Sequence, residues 1–263
     1  MTEDNLLLFL AHLDSKNMSH SSAHVYISAI RNLHVLNGLP ELVRTPKVRL
    51  AVKAMQLKSP KPRQKAPITF PVLCMMWPAL EKMKDNYLFK AVIALGYFGG
   101  LRADEYTHNG YSTPSVSQVA FTSNGLVMNF SVKRSKTCIH GFSRTIGCSK
   151  NDICAVCAMR SYLASRGPTQ PQSPLFVDAS GNSVTKARLN SVIKDTMQSL
   201  GLDPTKYSAH SLRAGVATTA GQIGFSAWEI KQLGGWKSST YMQYIRPAPA
   251  HATNYANRLT RLT

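Results

Sequence analysis

Apolar positions over the first 58 residues recur at helical rather than strand intervals. Leu6, Leu7, Leu10 and Leu13 fall on one stripe, which predicts a first helix. Ser19 or Ser21 stands where a helix N-cap is expected, ahead of Val25, Ile27, Ile30, Leu33 and Leu36, and Asn37-Gly38 supplies a stop signal. A third helix is expected over 47–57, carrying Lys47, Arg49 and Lys53 and followed by Lys58. The pattern then breaks. Ser59-Pro60-Lys61-Pro62-Arg63-Gln64-Lys65-Ala66-Pro67 has three prolines and no apolar period, and it reads as an extended linker.

Helical periodicity resumes over 70–83 and 86–98 and ends at Gly99-Gly100. Alternation of strand type follows over 116–121 and 126–132, with Ser123-Asn124-Gly125 as the turn, and a short third strand is expected over 143–146. Helices are expected again over 153–166, 184–200, 210–223, 226–233 and 250–262. No internal repeat or low-complexity block interrupts this order. The predicted fold is mainly α with a small antiparallel β-sheet (α+β). A helical arm over 1–58 is joined by a linker at 59–67 to a larger domain over 68–263.

Charge changes the picture more than composition does. The 263 residues hold 31 Lys+Arg against 13 Asp+Glu, a net charge of +18, while 44% hydrophobic content is ordinary for a globular core. Such an excess points to a polyanion, with DNA or RNA as the default partner. Arg31, Lys53, Lys58, Lys61, Arg63 and Lys65 are the basic side chains of the arm and linker expected to touch it. The bland alternative is a set of solvated charges on small helices. No membrane partner is expected, because no lipidation motif, basic amphipathic helix or spanning stretch is visible. The run Leu6-Leu7-Leu8-Phe9-Leu10 is too short for a signal-peptide core, so a soluble, intracellular protein is expected.

Five cysteines without a framework spacing suggest free thiols in a reducing compartment. Cys148, Cys154 and Cys157, with Cys138 or His140, could supply four tetrahedral zinc ligands. Cys154 and Cys157 also open an expected helix, where small buried thiols are common, and a second closely spaced pair is absent. No metal is therefore expected.

The chemistry-bearing residues cluster near the C-terminus. His210-Ser211-Leu212-Arg213 is followed by Gly234-Gly235-Trp236 and Tyr244-Ile245-Arg246, with a distant Arg102 in Gly100-Leu101-Arg102-Ala103-Asp104-Glu105. Arginine presents a planar fork that matches phosphate oxygens two at a time. Taken singly, each residue has a structural reading: a surface Arg102, a core His210, a packing Trp236, an idle Tyr244. In this order they resemble the tyrosine recombinase (phage integrase) family. The stretch 208–246 is particularly similar to Cre-like members, and the chain layout and Ser135-Lys136-Thr137 resemble recombinases of eukaryotic Crypton and DIRS/Ngaro mobile elements. The resemblance covers 68–263 well; over the first 58 residues it rests on position and helical character.

The resemblance implies a core-DNA-binding (SAM-like) domain at 1–58 and a catalytic domain at 68–263, clamping duplex DNA in a C shape. It implies that Tyr244 attacks a DNA phosphodiester to give a 3′-phosphotyrosine and a free 5′-hydroxyl. Arg102 and Arg213 would hold the non-bridging oxygens, His210 would assist proton transfer, and Trp236 would donate its indole N–H. Lys136 would protonate the leaving oxygen, and Glu105 would orient Arg102 or His210. Tyr241 and Lys133 remain alternatives for the nucleophile and the hairpin lysine. No nucleotide or metal cofactor is expected, because the phosphotyrosine bond conserves the energy of the cleaved ester. Four protomers on two sites are implied, with the 250–262 helix docking in a neighbour or on its own domain. The nucleus is implied if the source is eukaryotic. A catalytically silent DNA-binding descendant and a type IB topoisomerase-like relaxing enzyme stay open.

Overall fold

The structure, a computed structural model, describes residues 1–59, 65–135 and 138–245. The chain forms two compact units, Met1–Arg63 and Gln64–Thr263.

In the first unit, α1 (Glu3–Ser15), α2 (His20–Leu36) and α3 (Pro46–Lys58) enclose a small core of Leu6, Leu10, Leu13, Ala23, Ile27, Val48 and Met55. The Thr2 and Ser19 side chains cap α1 and α2, accepting from the backbone N–H groups of Asn5 and Ser22. Pro46 starts α3, where a missing N–H costs nothing. The inward face of α2 differs from the one expected. Val25, Leu33 and Leu36 are exposed, and the buried line runs through Ala23, Ile27 and His34, with Ile30 packed beside it. Spacings of four, three and four residues form the tighter stripe. His34 is tolerated within it because Nδ1 meets the Pro40 carbonyl oxygen at 2.8 Å.

The second unit is built around α5 (Asn86–Phe98), which is buried almost continuously from Leu88 to Tyr97. Around it lie α4 (Phe70–Glu81), α7 (Ala155–Arg166) and α9 (Ala209–Gln222). The short α6 (Ala103–Tyr106), α8 (Lys186–Ser199) and α10 (Ala227–Gly234) complete the helices described. Strands β1 (Val119–Phe121), β2 (Val127–Val132) and β3 (Phe142–Gly147) form an antiparallel sheet in that order. Phe130 pairs with Arg144 across β2 and β3. The expected strand over 116–121 begins instead with a 3₁₀ turn at Val116–Gln118, because Gln118 closes a capping box on Ser115. The expected helix over 250–262 lies outside the described residues.

One backbone contact fastens the start of this unit to α9. The Ile68 N–H donates to the Ser211 carbonyl at 2.8 Å. A Cβ on Gly215 would stand 1.7 Å from the Ile68 carbonyl oxygen, so only glycine admits the approach.

Candidate active site

Helix α9 carries His210 and Arg213 in its first turn, where an i,i+3 spacing puts both on one face. Arg213 is 2% exposed. Its Nη1 donates to the Gly234 carbonyl at 2.9 Å and also to the Gly100 carbonyl. Those two carbonyls come from the turn after α5 and the end of α10, distant in sequence but in contact. Gly100 has φ +55°, and a Cβ there would lie 2.9 Å from the Gly234 Cα. The close approach of Gly100 to Gly234 thus brings two backbone oxygens to the same guanidinium.

Arg213 Nη2 is buried and, among the described residues, has no hydrogen-bond partner. Leaving such a donor unsatisfied costs about 1–3 kcal/mol. An incoming oxyanion would remove that cost. Burial and then the nearby Arg102 charge lower the Arg213 pKa to about 10, which still leaves it cationic at neutral pH.

Trp236 is buried and lies against this guanidinium, with Arg213 Cζ 4.3 Å from the ring centre. Gly234 makes room for the indole, since a Cβ there would stand 2.0 Å from the ring. The structure therefore brings Trp236 to the site, with its face engaged in stacking on Arg213. The Tyr241 ring is buried against it at 6.3 Å.

Tyr244 ends a 3₁₀ turn, Ser239–Tyr244, and its hydroxyl lies 2.9 Å from His210 Nε2. The two rings meet edge to face at 5.4 Å. Thr218 on α9 donates to the Tyr244 carbonyl, which fixes the backbone behind the phenol. Partial burial, and after it the charges of Arg213, Arg102 and Lys186, lowers the His210 pKa below 6.5. That shift favours the neutral imidazole, whose Nε2 can accept a proton from the phenol in the tautomer protonated at Nδ1.

Arg102 caps α6, and Glu105 holds it twice. The Glu105 carboxylate accepts from the Arg102 backbone N–H at 2.8 Å and from Nη1 at 3.0 Å. Glu105 is buried while the Arg102 side chain is 40% exposed, so the carboxylate anchors the guanidinium from beneath. These side-chain contacts of Glu105 are with Arg102, one of its two expected partners.

A third guanidinium, Arg144 on β3, was absent from the residues expected at the site. Its burial and its neighbour Arg102 lower its pKa, while Glu105 opposes the shift. Its Nε is buried without a hydrogen-bond partner among the described residues, and its Cζ lies 4.5 Å from the Phe142 ring centre. A cleft of about 650 Å³ is lined by Arg102, Arg144, Trp236, Lys231 and Lys237, among others. The signal was present in the sequence. Strand alternation puts Arg144 on the same face as Phe142 and the buried Ile146, an inward position where a charge needs a reason.

Lys136 lies outside the described residues, as do Lys61 and Arg63. Lys133, its alternative, is exposed. In the first unit Arg31 pairs with Glu41 at 2.9 Å and Lys58 with Asp14 at 2.7 Å. Arg31 and Lys53 share a groove of about 790 Å³ with His24 and Arg49. Lys65 donates to the Thr205 carbonyl at 2.6 Å. Cys148, Cys154 and Cys157 come together, but neither Cys138 nor His140 joins them.

No family model matches the chain. An integrase/recombinase xerD homologue from Selenomonas ruminantium is 28% identical over 249 residues, covering 89% of this chain and 70% of the relative. Among solved structures, the Tn1549 transposon integrase in complex with circular intermediate DNA aligns with a TM-score of 0.66 at 11% identity, covering 98% of this chain and 85% of that one. A lambda integrase dimer bound to a core site aligns at 0.60 and 16% identity, over 95% and 81% of the two chains. XerA recombinase aligns at 0.56 and 18% identity, over 100% and 84%. The chain thus shares its fold with these integrases and recombinases, and its sequence is similar to that of an integrase/recombinase relative.

Proposed function

We propose that the protein is a site-specific DNA recombinase that cuts and rejoins duplex DNA through a 3′-phosphotyrosine. The observation that carries the reading is the 2.9 Å contact between the Tyr244 hydroxyl and His210 Nε2, beside a buried Arg213 with an unsatisfied donor. A phenol of pKa about 10 is a weak nucleophile at pH 7 until a base takes its proton. In this reading His210 is that base.

As the Tyr244 Oη–phosphorus bond forms, the bond to the 5′-oxygen breaks and negative charge grows on the non-bridging oxygens. Arg213 Nη2 supplies a fixed donor to one of them, and Arg102 and Arg144 add charge at the same cleft. Burial and the neighbouring Arg102 charge lower the pKa of both Arg144 and Arg213, and the buried Glu105 carboxylate opposes both shifts. That imbalance suits a bound phosphate and is poorly suited to an empty site. Trp236 holds the Arg213 plane, and its indole N–H is a further donor in this reading. Lys136 protonates the leaving 5′-oxygen. Tyr244 is preferred to Tyr241, whose ring is buried on Trp236.

The first unit is the arm that tracks the DNA backbone, with Arg31, Lys53, Lys58, Lys61 and Arg63 as phosphate contacts, Lys65 at the start of the second unit as another, and salt-sensitive affinity. The reacting assembly is a tetramer on two sites, with the 250–262 segment docking between protomers. The transfer itself needs no nucleotide or metal cofactor. Origin in a mobile element, of the eukaryotic Crypton or DIRS/Ngaro type, belongs to the same reading and rests on chain layout and the Ser135-Lys136-Thr137 motif. A eukaryotic source would place its work in the nucleus. Among the described residues no helix is long and apolar enough to cross a membrane.

A nicked suicide substrate carrying the recombination site provides the test. The wild-type chain is expected to form a covalent protein–DNA adduct and Tyr244→Phe none. An adduct that survives in Tyr244→Phe moves the nucleophile elsewhere. Salt-sensitive binding without any adduct on a verified site returns the chain to a silent DNA-binding role.

A further inference from the structure

Three thiols gather at the junction between the sheet and the helical core. Cys148 directly follows β3, Cys154 caps the N-terminus of α7, and Cys157 sits in the first turn of that helix. The Cys148 Sγ lies 3.6 Å from both the Cys154 and the Cys157 Sγ, and all three sulfurs fall within 4.8 Å of one another. All three are free cysteines.

These distances are far above the roughly 2.05 Å of a disulfide. The two 3.6 Å separations match instead the spacing that a shared metal imposes, since zinc–sulfur bonds of about 2.3 Å in a tetrahedron set neighbouring sulfurs about 3.8 Å apart. The local backbone fits the same purpose. The Cys154 Sγ accepts from the Cys157 N–H at 3.4 Å, the kind of supporting hydrogen bond that orients a metal-bound sulfur. Cys148 is placed by its own N–H donating to the Leu126 carbonyl at 2.7 Å. The trio shares no residue with the Tyr244 site.

We propose that Cys148, Cys154 and Cys157 form a zinc-binding site, with solvent completing the tetrahedron on the exposed Cys157 side. Soft thiolates select zinc over magnesium or calcium, and binding releases the thiol protons to solvent. The ion's task is structural. It ties the end of β3, the strand that carries Arg144, to the start of α7, which packs on the central α5. Sequence spacing argued against a metal because no second close pair accompanies Cys154 and Cys157. The fold supplies the third ligand by bringing the end of β3 to that pair.

The test uses the full chain purified in reductant and dialysed against stoichiometric zinc, with bound metal measured by elemental mass spectrometry. Wild type and Cys74→Ser are expected to hold one zinc per chain, and Cys148→Ser and Cys157→Ser to lose most of it. Cobalt loaded into metal-free wild type should show a thiolate charge-transfer band together with the visible bands of a four-coordinate ion. That readout on the wild type stands even where a cysteine variant fails to fold. Chelation should lower the melting temperature of wild type by several degrees, and zinc but not magnesium should restore it. Wild type that retains well under one zinc per chain and shows no thiolate band with cobalt overturns the proposal. So does equal zinc retention in Cys148→Ser and wild type. None of these readouts depends on DNA cleavage, so the site and the recombinase reading stand or fall separately.

Discussion

The two units handle positive charge in opposite ways. In the helical arm the basic side chains are exposed, and three of them meet carboxylates: Arg31 and Arg44 share Glu41, and Lys58 meets Asp14. Exposed pairs of this kind contribute little to stability and exchange readily for other anions. In the larger unit Arg213 and Arg144 are withdrawn from solvent, each with a buried guanidinium nitrogen unsatisfied among the described residues. Glu105, already engaged with Arg102, is the buried carboxylate they share. Under the proposed function, placement therefore separates a general phosphate-tracking surface from a reaction centre better than charge does. A solvated arginine costs little to leave alone, whereas a desolvated one with an open donor stays costly until an anion arrives.

The sharpest way to break this contrast is Arg213→Lys, which keeps the charge and removes the fork. Single-turnover cleavage on a suicide substrate should fall by about 10³-fold. A melting curve taken alongside separates lost chemistry from lost folding, because Nη1 also bridges Gly100 and Gly234. A loss below tenfold in a folded variant would remove Arg213 from the transition state.

A paired comparison of Arg144→Ala and Arg31→Ala sharpens it. At saturating protein Arg144→Ala should slow cleavage by about 10²-fold. Arg31→Ala should stay within about twofold of wild type and lower the salt dependence of binding by about one counterion. Equal effects on cleavage from the two substitutions would erase the distinction between the units.

The smallest effect is on His210. Followed by NMR in the free protein, its imidazole should titrate below 6.5, because partial burial and the Arg213, Arg102 and Lys186 charges disfavour the protonated ring. As pH falls below 6.5 the unfolded chain takes up this proton first, so the contribution of His210 to stability is present above 6.5 and lost on acidification. Lys186→Ala should move the titration up slightly, and a bound DNA phosphate should move it up further. A value above 6.5 in the free protein would contradict the crowding of cations around the ring.

Elements with a strong local signal were legible in advance. Helix α5 matches the expected 86–98 because an almost wholly apolar run bounded by Asn86 and Gly99-Gly100 has few other outcomes. The hairpin was legible through its turn residues, with Gly125 at φ +66°. The α2 face was misjudged, since two overlapping stripes compete in 20–36 and only contact with α1 and α3 selects the one through Ala23 and Ile27. At the site, His210, Arg213, Trp236 and Tyr244 could be named from motif order. Arg144 could not, because it belongs to no motif and is marked only by its inward register on β3.

The sequence by itself determined the order of helices and strands, the excess of positive charge and the short motifs that bear chemistry. All of these depend on neighbours close along the chain, through periodicity, capping and turn conformation. Tertiary structure alone decided which residues meet. It brought Gly100 to Gly234 around one arginine, Tyr244 to His210 across 34 positions, and Cys148 to the Cys154–Cys157 pair. Those meetings arise from burying the α5 and α9 faces in a common core, and burial follows three-dimensional packing that spacing along the chain does not encode.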